Sequence, residues 1–312
     1  MKWLYQKGVT DFRMMSNLPG ELREWFEARF RITSLSQVEA VESKEDGSTK
    51  FLLQCEDRLL LEAVLMEFDR HQTVCISTQI GCPLRCAFCS TGMQGFERNL
   101  RCDEILNQVL FFRKNHIYPR RRFNIVFMGM GEPFLNRDNL YRAMEILNHQ
   151  DGFALGEKRI TVSTIGFPEK IIEAAESSLK FSLAISLNGT IDSKRKELMP
   201  GAEPIKDTLN AAEYFSRMKE TRTTLEYVLI KGENDSEDDA ARLSEMTSGK
   251  PFKINLIPFN EWKGSSFITP HEKRLNRFIQ LLLPSAPAVT VRRSRGKDIS
   301  AACGQLRYRK RN

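Results

Sequence analysis

The chain has 312 residues, 41% hydrophobic and 28% charged, with 18 Gly and 12 Pro, a balance that excludes collagen-like, coiled-coil and low-complexity classes. Its formal net charge of +7 sits at one end: Arg292 to Asn312 carries eight Lys/Arg (292, 293, 295, 297, 307, 309, 310 and 311) against one acid, Asp298, so the rest is neutral. No run of about 18 apolar residues could span a bilayer, and Met1 to Gly8 lacks the apolar stretch of a secretory signal. A cytoplasmic, non-membrane protein with an anionic partner is expected. RNA fits that partner, because each neutralised phosphate releases a counterion.

Residues 1 to about 70 read as a small accessory region, and 71–312 as the main domain. Within the first, Leu59 to Met66 is an apolar strand whose only acid is Glu62. From residue 73 onward, β-branched runs alternate with amphipathic stretches. Strands are expected at Thr73 to Gln79, Phe123 to Met128, Arg159 to Ser163, Phe181 to Leu187, Thr224 to Ile230, Phe252 to Ile257 and Ala288 to Arg293. Helices are expected between them at Asp103 to Asn115, Arg137 to His149, Pro168 to Ser178, Lys206 to Met218, Glu237 to Thr247 and His271 to Leu283. This βα repeat predicts an α/β fold with a parallel sheet, and about six units suit a partial (β/α)6 TIM-like barrel.

Active groups in such folds gather at the carboxyl ends of the strands. There the sequence places Gly129-Met130-Gly131-Glu132-Pro133, Ser163-Thr164-Ile165-Gly166, Ser186-Leu187-Asn188-Gly189 and Pro258-Phe259-Asn260. Pro133 interrupts the helix that a dinucleotide-binding glycine loop would need, and the third glycine is absent. Turn glycines and local caps are the plain alternative for each motif alone. Their succession along one rim favours a shared ligand.

Cysteines stand at 55, 75, 82, 86, 89, 102 and 303, an odd number that argues against a disulfide framework. Cys82, Cys86 and Cys89 form a C-x3-C-x2-C triplet, while the four histidines are scattered, so a closed zinc site is disfavoured. Three thiolates in one loop suit an iron-sulfur cube with one iron left open.

This triplet, with Phe88 before its last cysteine, resembles the signature of the radical S-adenosylmethionine (SAM) enzymes. From about Lys2 to Arg307 the chain resembles one family of them, the RNA adenine methyltransferases of the RlmN/Cfr type. The resemblance rests on Cys75-Ile76-Ser77-Thr78-Gln79-Ile80-Gly81-Cys82, Gly95-Phe96-Glu97-Arg98-Asn99-Leu100, Phe127 to Pro133, Asn255 to Asn260 and Asp298 to Leu306. It implies a barrel of the radical SAM type, a 4Fe-4S cluster on Cys82, Cys86 and Cys89, and SAM as cosubstrate. It implies methylation of an adenosine ring carbon in 23S ribosomal RNA and, on the RlmN branch, transfer RNA. Pro133 favours carbon 2, the Cfr branch at carbon 8 resembling Gly-Glu-Ala there.

Direct transfer of an electrophilic methyl to electron-poor carbon 2 fails, and the family instead passes a methyl through a cysteine. By that resemblance Cys303 carries the methyl from one SAM, a deoxyadenosyl radical from a second activates it, and Cys75 attacks the sulfur to release product. The Cys75–Cys303 disulfide left behind must be reduced, by a protein such as a flavodoxin or ferredoxin. Glu62 resembles the proton acceptor. Gly131, Glu132, Ser163, Ser186, Leu187, Asn188 and Asn260 carry over as SAM contacts, Asn188 standing where the family usually has histidine. Cys55 and Cys102 match no role. The chain is expected to act as a monomer and to begin within the family's N-terminal helical region. An RNA-binding protein with a structural metal site is the rival from another class.

Overall fold

In chain order the elements of the computed structural model are α1 (Gly20–Arg29), β1 (Leu35–Glu42), β2 (Thr49–Cys55), β3 (Leu60–Glu67), β4 (His71–Cys75), β5 (Gln79–Gly81), α2 (Ser90–Gln94), β6 (Phe96–Asn99) and α3 (Cys102–Asn115). Then come β7 (Arg122–Phe127), α4 (Arg137–Asn148), β8 (Ile160–Thr164), α5 (Pro168–Glu176), β9 (Ser182–Ser186), α6 (Asp192–Leu198) and α7 (Ile205–Met218). The last are β10 (Thr223–Leu229), α8 (Glu237–Thr247), β11 (Phe252–Pro258), α9 (Glu272–Leu282) and β12 (Val289–Val291). The structure describes residues 1–117, 122–284 and 288–307, so Arg309, Lys310 and Arg311 of the basic end lie outside it. Among the described residues no helix is long and apolar enough to cross a membrane.

Ten strands form one sheet in the order β1-β2-β3-β4-β7-β8-β9-β10-β11-β12. The pairings from β4 to β12 are all parallel. Parallel neighbours need a crossover, and α3, α4, α5, α7, α8 and α9 supply the six connections, which is the expected partial (β/α)6 arrangement. β1, β2 and β3 extend the same sheet antiparallel from β4.

Helix faces follow from spacing. In α7, Ile205, Leu209, Ala212 and Phe215 recur every three or four residues and are buried, each large side chain contributing about 1.5–3 kcal/mol. α8 opens with a capping box, Ser236 accepting from the Asp239 N–H while Asp239 accepts from the Ser236 N–H.

One expected strand is divided. Thr73 to Gln79 pairs as β4 only to Cys75, and Gln79 begins β5 of a separate hairpin with β6. Between them Ser77 leaves the ladder: its N–H donates to Gln108 Oε1 (2.8 Å) and its hydroxyl to the Glu62 carbonyl (2.7 Å). Side-chain partners replace the ladder, and the chain is steered into the cysteine loop.

Candidate active site

The site follows from the period of two along each strand. On β8, Ile160, Val162 and Thr164 are buried, while Thr161 and Ser163 face the interior of the curved sheet. The interior row continues through Thr73 and Cys75, Val126 and Met128, Ala184 and Ser186, Thr224 and Glu226, and Asn255 and Ile257. These side chains line two adjoining cavities. A lower one of about 350 Å³ is walled by Cys75, Val126, Thr161, Ala184 and Asn255. An upper one of about 160 Å³, at the carboxyl ends of the strands, is walled by Cys82, Cys86, Cys89, Gly131, Glu132, Ser163, Ser186, Asn188 and Asn260. Met128, Glu226 and Cys303 line both.

The cysteine loop, residues 82–89, is clamped from several sides. Cys82 N–H donates to the Gly95 carbonyl (2.8 Å), Ala87 N–H to Leu198 (2.9 Å) and Ser90 N–H to Gly304 (2.7 Å), while Trp262 Nε1 donates to Phe88 (3.1 Å). Asn136 ties its flanks by donating to the Thr78 and Leu100 carbonyls at 2.8 and 2.7 Å. Gly131, at φ 101°, lets the rim approach so closely that a Cβ there would lie 2.5 Å from that of Gln79. Burial pushes the Cys82 thiol up to about 12 and raises that of Cys86 as well. Such thiols are held as thiols until a cation displaces their protons.

Cys303 reaches the site from the C-terminal segment. Its carbonyl accepts from Asn260 Nδ2 at 3.1 Å. Burial raises its pKa, against the pull of Arg292. Cys75 is buried on β4 and pushed up to about 12 by burial, the charge of nearby Cys303 adding to the effect. Arg292 faces both: ionised Cys303, and after it Glu226 and Cys75, would favour its guanidinium in the protonated form against the cost of burial. Its Nη1 lies 3.4 Å from Glu226 Oε1 and 3.2 Å from Met128 Sδ. Glu226 Oε2 accepts from Ser163 Oγ at 3.2 Å. A charged chain thus runs from the upper rim to the two thiols.

Glu226 was not singled out in the sequence, although it carries the signal that marked Glu62, a lone acid within an apolar strand. In the sequence Arg292 is one cation of the basic run and carries no further mark. Arg195 gave no signal: it lies inside a charged helical stretch, yet is 1% exposed and donates to the carbonyls of Leu187 (3.0 Å), Ile165 (2.6 Å) and Glu203.

The rim residues are placed unequally. Glu132 is buried, accepts from the Ile165 and Phe134 N–H groups at 2.8 and 3.0 Å, and is raised to about 7 by burial, those bonds opposing. Asn188 adopts φ 52°, a left-handed conformation that asparagine tolerates well, and its Oδ1 accepts from Val228 N–H at 2.7 Å. Leu187 does not line the cavity. It follows Ser186 by one residue, so the strand period turns its side chain into the core, and both its backbone groups are bonded, N–H to Glu226 O and carbonyl to Arg195. Cys55 is buried and Cys102 opens α3.

Glu62 is 4% exposed and shares the inner face of β3 with Val64, which pairs with Cys75. It lines neither of these cavities. Its Oε1 pairs with Lys50 Nζ at 3.1 Å and its Oε2 accepts from the Arg307 N–H at 2.6 Å. Burial raises its pKa, with Lys50 opposing. The segment from Ile299 to Arg307 lies between it and Cys75: Ala301, Ala302 and Leu306 line the lower cavity, while Glu62 lines a third cavity with Ile299, Ser300 and Arg307.

Two observations fit the implied cluster and cosubstrate. The three sulfurs sit on one wall within reach of each other's charge, with no histidine in the lining. A cube would offer each of three such thiolates its own iron. Asn260 Oδ1, on the same wall, is buried without a partner among the described residues, and a buried acceptor of this kind calls for a donor.

Comparison with known proteins agrees. Residues 76–244 match the Radical SAM superfamily, and residues 1–32 match the ribosomal RNA large subunit methyltransferase N-terminal domain. A dual-specificity RNA methyltransferase RlmN of Geobacter sulfurreducens is 46% identical over 98% of this chain and 84% of its own length. A probable dual-specificity RNA methyltransferase RlmN of Thermus thermophilus is 40% identical, over 97% and 86%. The crystal structure of a radical SAM methyltransferase from Sphaerobacter thermophilus superposes with a TM-score of 0.92 at 39% identity, over 98% of this chain and 90% of that one. The chain belongs to the RlmN family of radical SAM methyltransferases.

Proposed function

We propose that this protein methylates carbon 2 of an adenosine in ribosomal and transfer RNA, with Cys303 carrying the methyl group. The observation that supports this most strongly is the place of Cys303, on the wall shared by the cavity of Cys82, Cys86 and Cys89 and the cavity of Cys75. A 4Fe-4S cluster with SAM, when bound, supplies the methyl group and the hydrogen-abstracting radical that an electron-poor ring carbon requires.

The chain's own residues do the rest. Cys82, Cys86 and Cys89 would hold the cluster, beside which SAM would bind. Gly131, Glu132, Ser163, Ser186, Asn188 and Asn260 line the SAM site, and Leu187 acts only through the backbone that fixes its neighbours. Arg292 stabilises Cys303 as the thiolate that accepts a methyl group, since a cation beside a thiol favours its charged form. After transfer the Cys75 thiolate attacks Cys303 Sγ and the bond from that sulfur to the methylene carbon breaks, its electron pair staying on the carbon, which takes up a proton to become the methyl group. A Cys75–Cys303 disulfide remains, and the odd electron of the radical adduct would be accepted by the oxidised cluster. A reducing protein of the flavodoxin or ferredoxin class reopens it.

Glu62 takes the proton from carbon 2. Its Oε2 is held by the Arg307 N–H, so this role requires residues 299–307 to shift when RNA binds. Residues 1–70 serve as an accessory region and 71–312 as the catalytic barrel of a cytoplasmic monomer. Anaerobic protein should be brown, and Cys86→Ala should bleach it; colourless protein holding zinc overturns the reading. Cys303→Ala should abolish methyl transfer, and Cys75→Ala should accumulate a covalent RNA adduct. Free turnover by Cys75→Ala would remove its role in product release.

A further inference from the structure

The third cavity, a groove of about 630 Å³, is used by no step above except through Glu62 on its floor. One wall is the inner face of the antiparallel extension, with Val41 and Leu52. The other is the loop after β11, with Trp262 and Lys263. A bulge between Gln37 and Glu39 interrupts the β1–β2 register, and Val38, beside it, also lines the groove at 51% exposure. The lining holds four cations (Lys50, Arg58, Lys263 and Arg307) and two acids (Glu39 and Glu62), a balance of +2. Lys50 is taken by Glu62. Arg58, Lys263 and Arg307 make no ion pair among the described residues.

An indole, apolar strand residues and unpaired cations are the parts that bind unpaired nucleotides: bases stack on the ring and phosphates meet the charges. Position adds to composition. The segment that separates this groove from the Cys75 cavity is a single strip of chain, with Ala301, Ala302, Cys303 and Leu306 on one side and Ile299, Ser300, Gln305 and Arg307 on the other. An adenosine at Cys303 would therefore place its neighbours in the same strand beside the groove.

We propose that this groove is a subsite for an unpaired nucleotide flanking the target adenosine, its base stacked on Trp262 and its phosphate held by Arg58 and Lys263. The proposal rests on the RNA reading above and locates where that RNA is gripped. It makes the antiparallel extension part of substrate recognition, and explains why cations face a cavity in which the chemistry uses only Glu62.

The test uses the full chain with its cluster reconstituted and a hairpin RNA carrying one adenosine in its loop. Trp262→Ala should weaken RNA binding by roughly tenfold or more, as loss of a stacking platform does, and Trp262→Phe should restore most of it. Arg58→Gln with Lys263→Ala should lower the slope of log affinity against log salt by about 1.4, at ~0.7 per charge for single strands. An abasic site at one flanking position should weaken binding to the wild-type chain and leave Trp262→Ala unaffected. Methylation of Cys303 by SAM without RNA, read by mass, should persist in the Arg58→Gln/Lys263→Ala variant. If that methylation occurs while no flanking position couples to Trp262 and the salt slope stays fixed, the subsite is refuted and the RNA reading stands. If the wild-type chain neither methylates Cys303 nor binds the hairpin, the underlying RNA reading fails. Binding of an acidic protein with the hairpin unaffected by these variants would overturn the subsite as well.

Discussion

Arg195→Met tests how the upper rim is held. The guanidinium's partners are carbonyl oxygens at the ends of β8 and β9 and before α7: Leu187 at 3.0 Å, Ile165 at 2.6 Å, and Glu203, with Ser186 more distant at 3.5 Å. Three hydrogen bonds to a charged group at about 1.5–3 kcal/mol each give roughly 5–9 kcal/mol. Against this stands the cost of burying the cation, which pulls the Arg195 pKa down to about 10 from 12.5, on the order of 3 kcal/mol. The net loss is roughly 2–6 kcal/mol. With about 2.1 cal/mol/K per residue over 312 residues, a loss of about 4 kcal/mol lowers Tm by roughly 6 °C. Anaerobic thermal unfolding followed by circular dichroism measures it, and calorimetric SAM titration should show weaker binding, because the same carbonyls fix the loops of Ser186 and Asn188. Arg195→Lys should recover little, since one ammonium cannot reach several carbonyls as a planar fork does. A fall below about 2 °C in Arg195→Met, or full rescue by Lys, would refute the account.

Three further outcomes follow from other contacts. Gly131→Ala meets both a left-handed φ of 101° and the Gln79 side chain at 2.5 Å, strain of about 1–3 kcal/mol; SAM binding should fall sharply, and unchanged affinity would show that the rim need not approach so closely. Asp298→Ala removes the carboxylate that accepts from Ser43 Oγ at 2.8 Å and Lys44 N–H at 3.0 Å, a loss of about 1 kcal/mol. Methylation of Cys303 should slow about fivefold if that loss falls on its positioning, and an unaltered rate would detach the hairpin from that task. Glu62→Gln concerns pH: burial raises the native Glu62 pKa above 4.5, so the native state binds more protons than the unfolded one as pH rises from that value to the raised one. Wild-type stability should fall through that window relative to Glu62→Gln and run parallel above it. Urea midpoints across the range measure this, and a widening advantage for wild type would reverse the sign.

Most of the parallel half was legible because strand and helix periods alternate cleanly from residue 73. The seven expected strands are β4 and β7 to β12, displaced at their ends by at most two residues except where Ser77 leaves the ladder. The cysteine loop and the rim glycines were legible as spacings. What escaped depended on direction or on distant partners. Leu187 sits between Ser186 and Asn188 in a motif that looks continuous, but the strand period separates their faces. Glu226 carries the same lone-acid signal as Glu62, but nothing in the sequence ties it to Arg292 and Ser163, which lie 66 and 63 residues away. Arg195 was hidden because its partners, Ile165, Leu187 and Glu203, lie in three separate loops.

The hairpin of β1 and β2 gains its meaning from the other end of the chain. Asp46, at the tip between β1 and β2, accepts from the Gly296 N–H at 2.7 Å through Oδ2, and its carbonyl accepts from Arg295 at 2.8 Å. Ser43 and Lys44 hold Asp298, and Lys50 donates to the Ser300 carbonyl at 3.2 Å. Every one of these bonds lies between residues about 250 apart in sequence, and together they fix both ends of the stretch that leads to Cys303. On the role proposed for it, Cys303 serves two cavities in turn, and a thiol with that task cannot hang from a free tail, since a displacement of about 1 Å can cost a hundredfold in rate. The antiparallel hairpin is therefore the device that holds the C-terminal segment against the barrel. Its proximity to the groove of Trp262 means that RNA entering there would press on the same strip of chain that carries Cys303 and covers Glu62.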